Sequence, residues 1–451
     1  MSLYDLIVRN GTLVTPSGLC QVDLGVSDER VVTLEPEVSG TSREEIDARG
    51  LHVLPGVIDA HVHFNEPGRT DWEGFSTGSR ALAAGGTTAF FDMPLNAHPP
   101  TLDAESFKLK HEAAQASSYV DFALWGGLVP ENLDRLEELA QCSVIGFKAF
   151  MSNSGIDDFL SVDDYTLYEG MRCIASFGGL VAVHAENDQI TQALARQALA
   201  QDKKGIRDYL RSRPVVAELE AIERAILFAQ ETSCSLHIVH VSTGRGVRLV
   251  AEAQARGVDV SCETCPHYLV LTEEDVEALG AVAKCAPPLR LKAEQDELWE
   301  HMFAGILPMV ASDHSPAPAS MKTSTNFFSV WGGISGCQSL LSLLLTEGYA
   351  QRELPLSVIA SITSEYVARR FKLFPRKGEL AVGADADITL VDLQKSVRLD
   401  AADLLYRHKH SPYIGRTMSA TIVRTLVRGR TVYQDGSIVG EPVGRLLTPH
   451  S

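Results

Sequence analysis

The stretch Leu54-Pro-Gly-Val-Ile-Asp-Ala-His-Val-His-Phe64 decides the fold, because it is a short apolar strand that ends in two histidines. Similar strands alternate with longer amphipathic helices from about residue 54 to residue 371, which is the pattern of repeated βα units around a parallel sheet. Eight such strands can be counted: 57–64, 88–93, 121–127, 144–150, 180–184, 236–241, 258–263 and 309–313. The pattern predicts an α/β protein with a (β/α)8 TIM barrel, whose active site lies at the carboxyl ends of the strands.

Outside this central region, both ends of the chain alternate apolar and polar residues as β-strands do. Near the N-terminus, Leu6 and Val8 precede Asn10-Gly11 and Leu13, which predicts two strands joined by a tight hairpin turn. Near the C-terminus, residues 388–391, 421–427 and 431–433 are strand-like, with a turn at Asp435-Gly436. The barrel is therefore expected to stand beside a smaller β-rich unit.

Composition excludes several classes of function. The 451 residues are 45% hydrophobic and 22% charged, as in ordinary globular proteins, and the formal charge of −18 disfavours nucleic acids and anionic membranes as partners. The opening MSLYDLIVRNG lacks the pattern of a signal peptide, and the aliphatic run at 340–345 is too short to span a bilayer. Eight scattered cysteines are interpreted as reduced thiols, so we expect a cytoplasmic protein.

Side chains that can bind metals cluster at the predicted strand ends. His61 and His63 lie two residues apart in one strand and so point to the same face, and four further candidates end other strands: Lys148, His184, His240 and Asp313. Imidazole and carboxylate groups bind zinc, and there are more of them than one tetrahedral ion needs. A protonated lysine cannot bind a metal, but a lysine carboxylated by carbon dioxide could bridge two cations. These residues therefore predict a binuclear metal site with N6-carboxylated Lys148.

Each of these residues also has a plainer interpretation. Lys148 could pair with a carboxylate, His184 could be a hydrogen-bonded core histidine, and Asp313 could cap the helix that follows it. All of these interpretations would have to be true at once, at successive strand ends of one barrel. A single metal site explains the same residues more simply and is therefore favoured.

Other histidines and cysteines are not assigned as ligands. His237 lies three residues before His240, so it is predicted to face the other way and is assigned a role in packing. His267, in the loop after the seventh strand, could line the pocket but does not have the spacing of a ligand. Cys262 and Cys265 are interpreted as part of an ordinary strand end, since no second cysteine pair accompanies them.

The chain resembles the cyclic amidohydrolases, a family that includes allantoinases, hydantoinases, dihydropyrimidinases and dihydroorotases. The resemblance extends over essentially the whole chain and is carried by these segments: Gly56-Val-Ile-Asp-Ala-His-Val-His63, Gly146-Phe-Lys148, Val183-His-Ala-Glu186, His240-Val-Ser and Ser312-Asp-His314. It implies that residues 1–53 and 372–451 form one β-sandwich domain beside a catalytic barrel of residues 54–371, and that the protein is a homotetramer.

The same resemblance implies a role for each residue of the site. His61, His63 and Asp313 would hold the buried metal, and His184 and His240 the more exposed one. Two Zn²⁺ ions are expected, although these ligands also accept cobalt or manganese, with carboxylated Lys148 and a hydroxide as bridges. As the catalytic residue, Asp313 would take the hydroxide proton and deliver it to the leaving ring nitrogen. Glu186 is either a residue that orients a ligand or a solvated loop carboxylate.

Loop residues separate the substrates within the family. Asn65 stands where dihydroorotases carry an arginine, and Asn153 stands where hydantoinases and dihydropyrimidinases carry a tyrosine. The allantoinase pattern remains, which implies hydrolysis of allantoin to allantoate, with Asn65, Asn96 and Asn153 near the substrate and backbone groups around Ala286 and Gly333 orienting the ring. A hydantoinase or dihydropyrimidinase, a non-catalytic scaffold of the same fold and a mononuclear deaminase are the alternatives.

Overall fold

A computed structural model describes residues 3–449, so the first two and the last two residues of the predicted end domain lie outside the described residues. The central region contains seven parallel strands in sequence order, the third of them interrupted at Trp125. Their bounds are Val57–Val62, Thr87–Asp92, Asp121–Leu124 with Gly126–Gly127, Phe147–Phe150, Leu180–His184, Ser235–Ile238 and Val260–Cys262. The predicted (β/α)8 barrel is confirmed.

The eighth predicted strand, residues 309–313, is not a regular strand. Isolated parallel bridges between Thr264 and Val310 and between Val62 and His314 close the barrel instead. At the end of the segment, Asp313 has a φ of 45°, which turns the backbone away from the extended conformation. The predicted segment is correctly placed in the barrel, but its regular β structure is wrong.

Helices follow the strands and cover the outside of the barrel. Those of ten or more residues are Phe75–Ala84, Ala104–Ser117, Asp164–Ser176, Asp188–Ala200, Val215–Thr232, Gly244–Ala255 and Lys292–Phe303. Shorter α or π segments are Leu136–Gln141, Ile206–Ser212, Pro266–Val270, Glu273–Leu279, Leu340–Leu343, Leu344–Ala350, Leu356–Ala360, Ser361–Glu365 and Tyr366–Arg370. Within the described part of the chain, none of the helices combines the length and the apolar character that crossing a bilayer requires.

The two ends of the chain form a small sheet of two strands, Val397–Arg398 and Thr417–Met418, and two larger sheets. One has four strands, Arg30–Glu35, Asp23–Ser27, Leu3–Arg9 and Thr41–Asp47. The other has seven strands, Ser437–Ile438, Arg430–Gln434, Thr421–Val427, Ile388–Asp392, His52–Pro55, Thr12–Thr15 and Gly18–Gln21. Antiparallel pairing of Ile388–Asp392 with His52–Pro55 joins the two chain ends. We propose that residues 1–53 and 372–451 form one domain beside a catalytic barrel of residues 54–371.

The predicted N-terminal hairpin is wrong. Leu3–Arg9 pairs within the four-stranded sheet, whereas Thr12–Thr15 pairs within the seven-stranded sheet, so the turn at Asn10-Gly11 carries the chain from one sheet to the other. A Cβ on Gly11 would lie 2.5 Å from the side chain of Val53, so only glycine allows this close crossing.

Buried ion pairs attach the end domain to the amino ends of the barrel strands. The Lys377 Nζ lies 2.7 Å from an oxygen of Asp121, the first residue of the third barrel strand, and Arg428 pairs with the same carboxylate. Asp385 also pairs with Lys377, at 3.0 Å. The attachment leaves the carboxyl ends of the strands free to form a site.

Candidate active site

The carboxyl ends of the barrel strands bring the predicted metal ligands together. His61 and His63 each place Nε2 close to the same Asp313 oxygen, at 3.3 and 3.4 Å. On the other side of the site, His184 Nδ1 lies 3.0 Å from His240 Nε2. The two groups are adjacent, since the rings of His61 and His240 are 5.5 Å apart.

A cavity of about 590 Å³ opens above these residues. This volume suits a small organic ligand. All five histidine and aspartate candidates line it. The site therefore offers imidazole and carboxylate groups at the base of a pocket that a substrate can enter.

Lys148 lies in the fourth strand and is completely buried. Its Nζ has no hydrogen-bond partner among the described residues and stands 5.1 Å from the centre of the Phe150 ring. Burial lowers the pKa of Lys148 to about 7, which favours the neutral amine. A neutral lysine amine is the form that reacts with carbon dioxide, so this environment fits the predicted carboxylation.

Several predicted site residues have backbone conformations that are rare outside glycine. Asn65, Asn96, His240 and Asp313 all have positive φ, between 41° and 67°. Such conformations are unfavourable for residues with a Cβ, and they concentrate at functional sites. Here they follow barrel strands, where they turn side chains toward the centre of the site.

A carboxylate that the sequence analysis did not single out lies behind His61. Glu263 Oε1 is 2.7 Å from His61 Nδ1, and its other oxygen is 3.2 Å from His237 Nε2. His237 also contacts the Ser261 hydroxyl at 2.8 Å, and its ring lies 5.7 Å from that of Phe371, so it is packed in the interior and hydrogen-bonded as well. The residue does lie away from the cavity, but Glu263 connects it to a candidate ligand.

Burial raises the pKa of Glu263 to about 8, the largest cause being removal of the carboxylate from water. Glu263 directly follows the seventh strand. The same search for polar side chains at strand ends that identified the other candidates would have identified it. An imidazole backed by a carboxylate is held in one orientation and one tautomer.

The second carboxylate, Glu186, lies behind His184. His184 Nε2 is 2.8 Å from the Glu186 carboxylate, which also pairs with Arg213. Although burial opposes ionisation, the Arg213 guanidinium lowers the pKa of Glu186 to about 2. Since Glu186 is completely buried, its interpretation as a solvated loop carboxylate is wrong, and it orients His184.

The predicted substrate contacts are distributed unevenly around the cavity. Asn96, Asn153, Ala286 and Gly333 line it, whereas Asn65 lies beneath it with its amide 3.5 Å from the carbonyl of Pro316. The Asn96 amide is 3.4 Å from His63 Nδ1. The Asn153 side chain accepts a hydrogen bond from Gly155 N at the more exposed edge.

Two lysines that sequence reasoning missed hold one wall of the cavity. Lys284 Nζ donates to the carbonyl of Phe327 at 2.7 Å, and Lys322 Nζ donates to that of Gly333 at 2.6 Å. The Gly333 N–H donates to the Lys284 carbonyl, and a Cβ on Gly333 would lie 2.2 Å from the Ser315 oxygen. No local pattern reveals these contacts, because lysine is common in loops and its partners here are backbone carbonyls.

Comparison with known proteins gives a consistent result. Residues 52–432 match the Amidohydrolase family. The chain is 60% identical over 450 residues to an allantoinase of Rubrobacter xylanophilus, covering 100% of this chain and 98% of that protein. An allantoinase of Deinococcus radiodurans is 54% identical over 451 residues, which is 100% of both chains.

Among solved structures, L-hydantoinase (dihydropyrimidinase) from Arthrobacter aurescens superposes with a TM-score of 0.96 at 36% identity, covering 99% of this chain and 100% of the other. These matches confirm the resemblance inferred from the motifs. By its sequence over almost its full length and by its fold, this chain belongs to the amidohydrolase family.

Proposed function

We propose that the protein hydrolyses the cyclic amide bond of allantoin to give allantoate. The protein is a cyclic amidohydrolase with a metal cofactor, and the observation that carries the choice of substrate is its full-length similarity to allantoinases. Allantoin is a neutral ring with a ureido group, and the cavity offers it neutral polar groups such as Asn96 and Asn153.

The residues present fit two divalent cations. His61, His63 and Asp313 would hold one ion and His184 and His240 the other, with carboxylated Lys148 as the bridge. Two buried atoms without a hydrogen-bond partner in residues 3–449, Lys148 Nζ and His240 Nδ1, support this assignment. The mixture of imidazole and carboxylate groups suits zinc. When bound, the two cations supply hydroxide at neutral pH and polarise the ring carbonyl.

The chain itself contributes orientation and proton transfer. The Asp313 carboxylate reaches into the cavity and accepts a proton from the attacking water, then delivers it to the ring nitrogen as the amide bond breaks. Glu263 and Glu186 hold His61 and His184 in fixed orientations from behind. The wall that Lys284 and Lys322 hold positions the ring against the base of the cavity.

The deciding experiment is steady-state hydrolysis of allantoin, hydantoin, dihydrouracil and dihydroorotate, with metal content measured on the same sample. We expect a clear preference for allantoin and about two ions per chain. A preference for hydantoin or dihydrouracil with two ions would overturn the substrate but keep the site. Absence of metal and activity, after metal and bicarbonate are supplied, would favour the scaffold.

Two further proposals rest on the family and on composition. We expect a homotetramer, which sedimentation of the purified protein would test. All eight cysteines are free thiols in the structure, and this supports the proposed cytoplasmic location.

A further inference from the structure

His267 is a buried histidine for which the proposed mechanism has no use. It lies in the short helix Pro266–Val270 after the seventh barrel strand, is 0% exposed, and packs its ring 4.2 Å from that of Tyr268. Neither ring nitrogen has a hydrogen-bond partner among the described residues. Buried polar atoms without partners are rare in folded proteins, so this pair points to an interaction of functional importance.

The neighbours of His267 identify that interaction. A ring nitrogen of His267, the Cys265 Sγ and an Asp313 carboxylate oxygen all lie within 4.8 Å of one another. Asp313 supplies the carboxylate of this group, whose oxygens accept hydrogen bonds. An imidazole has at least one N–H to donate in either protonation state, so His267 can act as the donor to this carboxylate.

The position of Asp313 explains why such a donor matters. One carboxylate oxygen is already near His61 and His63, and its backbone is held at a φ of 45°. Rotation of the carboxylate about its own side-chain bonds is the remaining freedom. An N–H donor on the side of His267 would remove that freedom.

We propose that His267 is a positioning residue that donates a hydrogen bond to the Asp313 carboxylate, directly or through one water molecule, and so aims it for proton transfer. The inference rests on the proposed function, because it concerns the proton carrier of that reaction. It differs from a ligand role, in which His267, Cys265 and Asp313 would together bind a cation.

The kinetic test compares His267→Phe, which has no donor, with His267→Gln, which keeps an N–H. We expect kcat on allantoin to fall about 10–100-fold in His267→Phe, with KM nearly unchanged and with partial recovery in His267→Gln. Bound metal should equal that of the parent protein in both variants. The matched control is His111→Gln, a partly buried histidine on the helix Ala104–Ser117, where kcat should not change.

A second readout does not depend on turnover. The imidazole resonances of His267, assigned by their loss in His267→Gln, should shift in Asp313→Asn in the nuclear magnetic resonance spectrum of histidine-labelled protein. Lys148→Ala, in which metal is lost but Asp313 remains, should shift them less, and His111 should not respond.

Three kinetic or metal-binding outcomes would overturn the proposal: unchanged kcat in His267→Phe, loss of metal in either His267 variant, or a change confined to KM. His267 resonances that do not shift in Asp313→Asn would overturn it as well. Failure of the proposed function is distinguishable from these outcomes. If the parent protein prefers another cyclic amide, the same kcat comparison on that substrate and the resonance shifts still test His267.

Discussion

On each side of the candidate metal site, a buried carboxylate holds a histidine from behind, but the electrostatic surroundings of the two carboxylates are opposite. Behind His61, Glu263 is shared with the neutral His237, and its pKa is raised to about 8. Behind His184, Glu186 is paired with Arg213, and its pKa is lowered to about 2. Both carboxylates can hold an imidazole in one orientation. Of the two, Glu186 also supplies the negative charge for a buried cation, Arg213. The difference teaches that an equal role in orienting a ligand does not imply an equal contribution to stability.

The largest expected effect comes from Lys148, which belongs to neither side and would bridge both. Lys148→Ala should lose bound metal and activity, because the bridging ligand is removed. Short-chain carboxylic acids should restore part of the activity by occupying the vacated space. Metal analysis and turnover check this, with the exposed Lys108→Ala as control. A variant with two ions and full turnover would refute the carbamate bridge.

Of the two histidine pairs in the site, the Asp313 carboxylate lies beside His61 and His63, so its replacement should separate catalysis from metal binding. Asp313→Asn keeps the size of the side chain but cannot accept the proton. We expect turnover to fall by about two to four orders of magnitude while most of the metal remains. Single-turnover kinetics with metal analysis measure both quantities. Near-normal turnover would remove Asp313 from proton transfer.

Glu186→Gln should remove the buried ion pair with Arg213 behind His184. The amide would still accept a hydrogen bond from His184, but Arg213 would lose its only ion-pair partner within residues 3–449. Since the pair is buried, we expect the free energy of unfolding to decrease by about 3 kcal/mol. Chemical denaturation of chelator-treated samples measures it. An unchanged stability would mean that Arg213 is solvated and that the contrast between the two sides is wrong.

Glu263→Gln should have the smallest effect on stability. The amide oxygen can still accept from His61, and no arginine or lysine forms an ion pair with Glu263 in the described part of the chain. We expect a loss of at most about 1 kcal/mol in the same denaturation experiment. A loss as large as that of Glu186→Gln would show that the charge of Glu263 is required.

Much of the site could be predicted because its residues follow local rules. The spacing of His61 and His63 puts both on one face of a strand, and Lys148, His184 and Asp313 occupy equivalent strand ends. Periodicity failed where a local turn changed the backbone. Asp313 interrupts the eighth strand, and Asn10-Gly11 joins two sheets where a hairpin was expected.

The sequence by itself determined the barrel, the positions of its strands and the candidate ligands, because these depend on repeating patterns within short segments. Glu186 was already a candidate for orienting a ligand, but only the tertiary structure decided its partners and placed Glu263 behind His61. Glu263 reaches His61 across 202 residues of sequence, and Arg213 reaches Glu186 from the end of the helix Ile206–Ser212. Such contacts form when distant segments pack together, and no local periodicity encodes them. For the same reason, the donor that faces Asp313 from His267 became visible only in the folded chain.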